Sequence, residues 1–249
     1  MTVQLSGTVA LVTGASSGIG EATARELAAR GAAVALLARR LDRLEAVAAK
    51  IEADGGTAVA IETDVADVHQ VRDAVETTVR TFGRLDILIN NAGVTRHGSL
   101  LDGAVEDWAR LVQVNLLGTL YCAHAALPHL VRAAADGPRQ VADLINVSSL
   151  SARVIRPDAA VYSATKLAVN TVSEALRQEV AGRRVRVSVL EPSAVETELF
   201  PPEYWAQRRA ERGFPGLSPE DVADAIGYAV SRPAHVAVSD LLVRPSAQR

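Results

Sequence analysis

Short unbroken apolar runs alternate along this chain with longer stretches of mixed character. The runs cover residues 9–12, 34–37, 58–61, 87–89, 144–147, 185–190 and 241–243. The early ones lack polar alternation, the pattern of parallel strands covered on both faces. Between them, residues 21–30, 43–53, 68–81, 105–133, 160–180 and 219–230 are rich in Ala, Leu, Glu and Arg at helical spacing. Seven strands alternating with six helices predict an α/β fold, a doubly wound seven-stranded parallel sheet flanked by helices on both faces. No repeat, long linker or low-complexity segment interrupts the 249 residues, so a single domain over 1–249 is expected.

Two stretches break the rhythm. Residues 133–140 read as a surface loop before the fifth strand. Residues 196–217 are long for a strand-to-helix connection, and they hold Phe200, Tyr204, Trp205 and Phe214 together with Pro201, Pro202 and Pro215. That excursion reads either as a cover for a substrate or as a surface loop packed on its own aromatics. Within 160–180, Ala164, Ala168 and Val172 form a small-residue row, which suits either the intrachain core or a subunit interface.

Composition removes several classes of function. Apolar residues make up 49% and charged residues 22% of the chain, which is globular and not disordered. A formal charge of −3 offers no basic excess for nucleic acid or anionic lipid. The one cysteine, Cys122, cannot form an internal disulfide, which suits a reducing compartment. Residues 116–131 are the most apolar long stretch, but they are too short to span a bilayer and contain His124, Pro128 and His129, so a buried helix is expected. Residues 1–7 are too short and polar for a leader. A cytoplasmic location with no membrane partner is the expectation.

The chemistry begins at Thr13-Gly14-Ala15-Ser16-Ser17-Gly18-Ile19-Gly20, between the first strand and the first helix. Gly14 permits a sharp turn, Gly18 lets the backbone approach a pyrophosphate, and Gly20 lets helix and strand pack closely. The helix N-terminus then presents free N–H groups to an anion. An NAD site places an acid at the end of the second strand. Here Ala38 is followed by Arg39 and Arg40, which either pair with a 2′-phosphate, favouring NADP, or merely start a solvated helix. Tyr162 and Lys166 are four residues apart on one helix face. A nearby ammonium lowers a phenol's pKa, so Tyr162 could give or take a proton. Ser148-Ser149 ends the fifth strand and Asn90-Asn91-Ala92-Gly93 the fourth, in the crevice where open α/β sheets hold ligands. Asn115 sits in a long apolar helix, where an amide must be bonded.

In this order and spacing the motifs resemble the short-chain dehydrogenase/reductase superfamily over essentially the whole chain, a Rossmann-type fold. The motifs are Thr13-Gly14-x-x-x-Gly18-x-Gly20, Asp64-Val65, Asn90-Asn91-Ala92-Gly93, Asn115, Ser149, Tyr162-x-x-x-Lys166 and 192–197. Glu191-Pro192, Ala160-Val161-Tyr162 and the ending Leu241-Leu242-Val243-Arg244-Pro245 are similar to the bacterial NADP-dependent subgroup near clavulanic acid dehydrogenase.

The resemblance implies NADP(H)-dependent hydride transfer between nicotinamide and a ketone, aldehyde or secondary alcohol, with no metal. Tyr162 would be the general acid or base. Lys166 would lower its pKa and bind the nicotinamide ribose, and Ser149 would hold the carbonyl oxygen. Asn115 would hold a relay water through its backbone carbonyl. Gly14, Ser16, Ser17, Gly18, Ile19, Gly20, Arg39 and Arg40 would bind the phosphates. Asp64 and Val65 would contact the adenine. Asn91, Ala92, Gly93 and Pro192 would line the cofactor, and Val195 and Thr197 would hold its carboxamide. Dimers or tetramers are implied as well.

Ser193 stands where the family usually has glycine, which leaves the local backbone open. Substrate-side lining is expected from Val94, Thr95, Arg96, Leu150, Ser151, Ile155 and 196–217, with Arg96 and His97 either reading an acidic group or facing solvent. The alternative is a nucleotide-binding sensor without turnover, but such sensors usually lose the tyrosine or lysine, and both are present.

Overall fold

The computed structural model describes residues 5–248. The expectation about residues 1–7 therefore bears in part on residues 1–4, which lie outside the described residues. The strands are β1 (Val9–Thr13), β2 (Ala33–Ala38), β3 (Thr57–Glu62), β4 (Ile87–Asn90), β5 (Ala142–Val147), β6 (Val185–Pro192) and β7 (Asp240–Val243). They form one sheet in the order β3-β2-β1-β4-β5-β6-β7, and every neighbouring pair is parallel. Each strand run expected from the sequence is found, with ends moved by a residue or two. All residues of β1, β4, β5 and β6 are buried, because helices cover both faces.

The helices are α1 (Gly18–Ala29), α2 (Leu41–Ala53), α3 (Val68–Phe82), α4 (Val105–Leu111), α5 (Gly118–Asp136), α6 (Ala160–Val180), α7 (Pro202–Arg212) and α8 (Pro219–Val230). One core lies where α1, α2 and α8 cover the sheet, around Leu27, Leu36, Leu44, Ile89 and Ile226. The other lies under α3, α5 and α6, around Leu11, Val75, Leu88, Leu130, Leu144 and Leu176. Local sequence sets the ends. Asp67 accepts from the backbone N–H groups of His69 and Gln70 to start α3, and Gly83 ends it at φ 82°. Ser218 and Asp221 form a reciprocal capping box on α8.

Three expectations need correction, and one open alternative is narrowed. The 196–217 excursion is not all loop, because α7 occupies its middle. Pro201 precedes that helix and Pro202 is its first residue, positions where proline assists helix entry. Residues 133–136 continue α5, and Arg139 is drawn inward by Asp143 at 2.8 Å. Of the two readings left open for the α6 row of Ala164, Ala168 and Val172, the structure does not support the intrachain core, since the row is not on the buried face. The buried face carries Ser163, Thr165, Lys166, Val169, Ser173, Leu176 and Val180, while Leu167 is half exposed. Finally, the 105–133 helix runs through a π-helical turn at Val112–Leu117, with Asn115 inside it.

β1 and β4 are adjacent, and the chain winds away from them in both directions. The crevice at their C-terminal ends is the topological switch point of the sheet.

Candidate active site

A cleft of about 660 Å³ opens at those strand ends. Every catalytic and cofactor-binding residue expected from the sequence lines it, except Gly20 and Asn115. Gly14 turns out of β1 at φ 67°, and a Cβ there would stand 2.9 Å from Ala92. At Gly20 a Cβ would fall 2.3 Å from the Gly14 carbonyl oxygen, so Gly20 packs α1 onto the loop and does not face the cleft. Asn91 fixes the same loop from β4. Its Nδ2 donates to the Thr13 carbonyl at 3.0 Å, and Thr13 Oγ1 accepts from the N–H groups of Asn91 and Ala92, both at 3.0 Å. Ser17 precedes α1 without a side-chain cap. The first-turn N–H groups are therefore left to a ligand, and this uncapped glycine-lined turn fits a pyrophosphate.

At the end of β2 the two arginines differ. Arg40 donates to Ser16 Oγ at 2.9 Å, to Ser17 Oγ at 2.8 Å and to Glu198 at 3.3 Å. Arg43 reaches the same Glu198 carboxylate. Both guanidiniums hold that carboxyl below the usual range, Arg43 foremost, against the opposing effect of burial. Arg39 is exposed in the cleft and forms no ion pair among the described residues. Burial would raise the pKa of Asp64, but the Ala66 N–H, Arg110 and Arg39 outweigh it, and the net shift is downward. Arg110, which sequence reading missed, bonds Asp64 at 3.1 Å.

At the other end, Ser148 and Ser149 separate cleanly. Ser148 Oγ donates to the Lys166 carbonyl at 3.1 Å and is buried. Ser149 accepts from the Ser151 N–H at 3.1 Å, and its hydroxyl lies near enough to Tyr162 to lower the phenol's pKa. Lys166 Nζ donates to the Val147 carbonyl at 2.9 Å and lies 5.9 Å from the Tyr162 ring centre. Burial lowers its pKa to about 8. Burial also raises the pKa of Tyr162, and the Ser149 hydroxyl only partly opposes this. The expectation that Lys166 pulls Tyr162 down is thus not met in this structure. The ammonium is engaged with a carbonyl and is itself desolvated, so the phenol is neutral at pH 7.

Asn115 sits behind Lys166. Its Oδ1 accepts from Val94 N–H at 2.8 Å, and its Nδ2 donates to the Val94 carbonyl at 3.0 Å and Thr165 Oγ1 at 3.3 Å. Its backbone carbonyl accepts from Thr119 Oγ1 at 2.9 Å. The side chain therefore ties the loop after β4 to α6.

The 196–217 excursion is stitched at its base by Glu196 N–H to Leu217 O and Leu217 N–H to Ala194 O. Trp205 is buried and donates to the Thr197 carbonyl at 3.0 Å. Phe200 stacks on Tyr204 with ring centres 4.2 Å apart, and His97 approaches Phe200 at 5.6 Å from the opposite wall. Phe200, Tyr204 and Trp205 line the cleft, whereas Phe214 does not. Arg96 and Ile155 are also absent from the lining. Arg96 turns to Asp107 and to the Thr95 carbonyl, and Ile155 is exposed. His97, Val154, Arg156 and Gln248 line the cleft instead. A tail eighty-six residues beyond the tyrosine carries no local signal of such a placement, and only the topology of β7 reveals it.

Beneath the site, sequence reading missed a buried carboxylate. Glu191 at the end of β6 accepts from Arg153 Nε at 2.7 Å and from Asn170 Nδ2 at 2.8 Å. It joins the turn after Ser149 to the helix carrying Tyr162. Among the described residues no group of three or more metal-ligating side chains occurs, and no helix is long and apolar enough to cross a membrane.

The short chain dehydrogenase family model matches residues 8–207. An uncharacterized oxidoreductase of Staphylococcus saprophyticus is 38% identical over 246 residues, covering 96% of each chain. Among solved structures, a short chain dehydrogenase from Burkholderia cenocepacia in complex with NADP aligns with a TM-score of 0.87 at 31% identity, over 98% of this chain and 99% of that one. A 3-ketoacyl-(acyl-carrier-protein) reductase from Brucella melitensis complexed with NADH aligns with a TM-score of 0.88 at 34% identity and the same coverage.

Proposed function

The chain belongs to the short-chain dehydrogenase family, whose members here are oxidoreductases, and from that premise we propose that it is an NADP(H)-dependent carbonyl reductase. The observation that carries the reading is that Ser149, Tyr162 and the buried Lys166 line one cleft, with Lys166 Nζ 5.9 Å from the Tyr162 ring centre.

When bound, the nicotinamide dinucleotide supplies or accepts the hydride. The protein's own residues do the rest. The uncapped turn at Gly14–Gly18, with Ser16, Ser17 and Ile19, holds the pyrophosphate. Arg39 and Arg40 face the 2′-phosphate, Asp64 and Val65 the adenine. Asn91, Ala92, Gly93, Pro192, Val195 and Thr197 line the nicotinamide half. Ser149 and Tyr162 both hydrogen-bond the carbonyl oxygen, and Tyr162 gives it a proton. A neutral phenol is the donor form that carbonyl reduction requires. Lys166 holds the far side of the same pocket and supplies positive charge. Asn115 keeps the loop after β4 in register with α6. The apolar rings of Phe200, Tyr204 and Trp205 suit a sizeable, partly apolar ketone or aldehyde, and they exclude water from the transfer.

Partner and location follow the same reading. Val105, Val112 and Leu167 are exposed on α4, the π-turn and α6, which supports a homodimer or homotetramer. The lone, buried Cys122 supports the cytoplasm.

The test is NADPH oxidation against a panel of ketones and aldehydes, with Tyr162→Phe beside the native enzyme. Turnover should fall by roughly 10²- to 10⁴-fold while NADPH still binds. Retained turnover in Tyr162→Phe rejects it as the proton donor.

A further inference from the structure

Serine in place of glycine at position 193 is accommodated without strain. Ser193 is absent from the left-handed region, which among the described non-glycine residues holds Gln140 and Arg184. Its backbone N–H donates to the Val243 carbonyl at 2.9 Å, extending the β6–β7 ladder past Pro192. Its hydroxyl then does something a glycine cannot: it donates to Oε1 of Gln248 at 2.5 Å. The chain between these anchors folds back on itself, with Gln248 N–H donating to the Pro245 carbonyl at 2.9 Å. The tail after β7 is thus tied down at both ends, and Gln248 becomes part of the wall of the cleft that also holds Ser149 and Tyr162.

The amide is half used. Oε1 is taken by Ser193, whereas the two N–H groups of Nε2 have no acceptor among the described residues. With Oε1 held by Ser193, the amide loses much of its rotational freedom, which lowers the cost of presenting Nε2 to a ligand. Much of the neighbouring wall is apolar or already paired: Leu150, Val154, Phe200 and Tyr204 present carbon and ring surface, while His97 and Arg156 are engaged by Asp158. A donor held in a partly apolar wall discriminates, because a bound ligand that lacks the matching acceptor leaves it desolvated and unpaired.

We propose that Gln248, held by Ser193, is a specificity-determining residue that donates from Nε2 to a second acceptor oxygen of the substrate, distinct from the carbonyl oxygen that is reduced. The inference rests on the carbonyl-reductase reading and narrows it. The substrate class becomes ketones that also carry a carboxylate, ester or amide oxygen.

The experiment compares two ketones of equal chain length, ethyl acetoacetate and 2-heptanone, with NADPH as reductant. In the native enzyme the ester should be favoured. In Gln248→Leu the ratio of kcat/KM for the ester over the simple ketone should fall roughly three- to tenfold, carried by KM. Ser193→Gly should lower the same ratio, since it releases the amide. The double variant should be no worse than Gln248→Leu alone, because both changes remove one interaction. The Kd for NADPH, measured on each variant, reports folding independently of the ketone. A ratio unmoved in Gln248→Leu overturns the proposal, and so does additive loss in the double variant. A weakened Kd for NADPH would assign the tail to the cofactor and overturn it too. A native enzyme that reduces neither ketone but oxidises NADPH with some other carbonyl lacking a second oxygen also refutes the specificity assignment alone. No turnover with any carbonyl removes the reductase reading itself.

Discussion

Arg39→Ala should weaken NADPH binding, spare NADH, and do so more than Arg40→Ala. The two side chains leave the same strand end, but they are differently committed. Arg40 already serves three acceptors, Ser16, Ser17 and Glu198, and it must release one to serve a phosphate. Arg39 stands in the cleft with no ion pair among the described residues. One charge-assisted hydrogen bond to a phosphate contributes about 1.5–3 kcal/mol, which is roughly 10- to 150-fold in Kd. NADH lacks the 2′-phosphate and should change by less than about twofold on the same reasoning. Trp205 lines the cleft, so its fluorescence gives both constants by titration. The gap between the cofactors should shrink in roughly 0.5 M salt, where the Debye length drops to a few ångströms. Glu198→Gln should act oppositely, tightening NADPH, because it frees Arg40 and Arg43 from a competing carboxylate. Equal weakening of NADPH and NADH by Arg39→Ala would refute the phosphate assignment. A larger effect at Arg40 would show that its bonds to Ser16, Ser17 and Glu198 are part of phosphate binding and not a competitor to it.

Activity should decline as pH rises through about 8, seen as an alkaline limb in kcat/KM for NADPH, because Lys166 loses its proton there while the raised phenol of Tyr162 keeps its own; a profile flat through pH 8 would contradict this. The same shift sets the sign of a stability change. The unfolded lysine titrates at its model value of 10.5, so between about 8 and 10.5 the unfolded chain binds more protons. Lys166 therefore contributes rising stability across that window, on the order of 3 kcal/mol in all, which urea melts of native and Lys166→Met protein would resolve. Arg153→Ala leaves Glu191, fully buried, with Asn170 alone; breaking an ion pair of this kind costs about 3–5 kcal/mol when both partners are buried. Arg153 is half exposed, so about 2 kcal/mol is expected, a Tm lower by roughly 4–8 °C. Adding Glu191→Gln should recover part of it, and an unshifted melt would sink the reading.

The strands were legible because β1, β4, β5 and β6 are buried on both faces and so carry unbroken apolar runs. The glycine turn was legible because the backbone at Gly14 and Gly20 tolerates no side chain. What stayed hidden depends on packing between distant segments. The helix α7 lies in a stretch studded with prolines, which reads as loop, yet two of them sit at a helix start where proline is no obstacle. The small-residue row on α6 stayed ambiguous between core and interface because periodicity fixes only that a helix has faces, not which face meets the sheet. Here polar Ser163, Thr165, Lys166 and Ser173 turn inward; the last three are bonded to the Tyr162, Val147 and Val169 carbonyls and to Asn146, and the alanines turn out. Arg96 and His97 are neighbours in sequence, but one pairs with Asp107 and only the other reaches the cleft. No pattern within the loop separates them.

The two edges of the sheet explain why the polar residues at one end are read as a site and those at the other as scaffold. At the N-terminal edge, Arg186 on β6 uses all five of its N–H groups. Nε and Nη2 donate to Asp143, and Nη1 and Nη2 also donate to the carbonyls of Val230, Arg232, Pro233 and Val236 at the end of α8. Arg84 donates twice to the buried Asp86, whose Oδ2 also accepts from Val9 N–H. Such groups are satisfied by the fold and leave a ligand nothing to bond. At the C-terminal edge the accounts stay open. The first turn of α1 lacks a cap, Lys166 has one acceptor for three N–H groups, and Arg39 and the amide nitrogen of Gln248 have none among the described residues. Every one of these open groups is a donor, and all face one cleft. A ligand that completes them must be rich in acceptors: phosphates and ribose hydroxyls at one end, carbonyl oxygens at the other. A ligand that covers these donors without matching them would leave each desolvated at a cost of about 1–3 kcal/mol, so the cleft selects for ligands that bring acceptors to them.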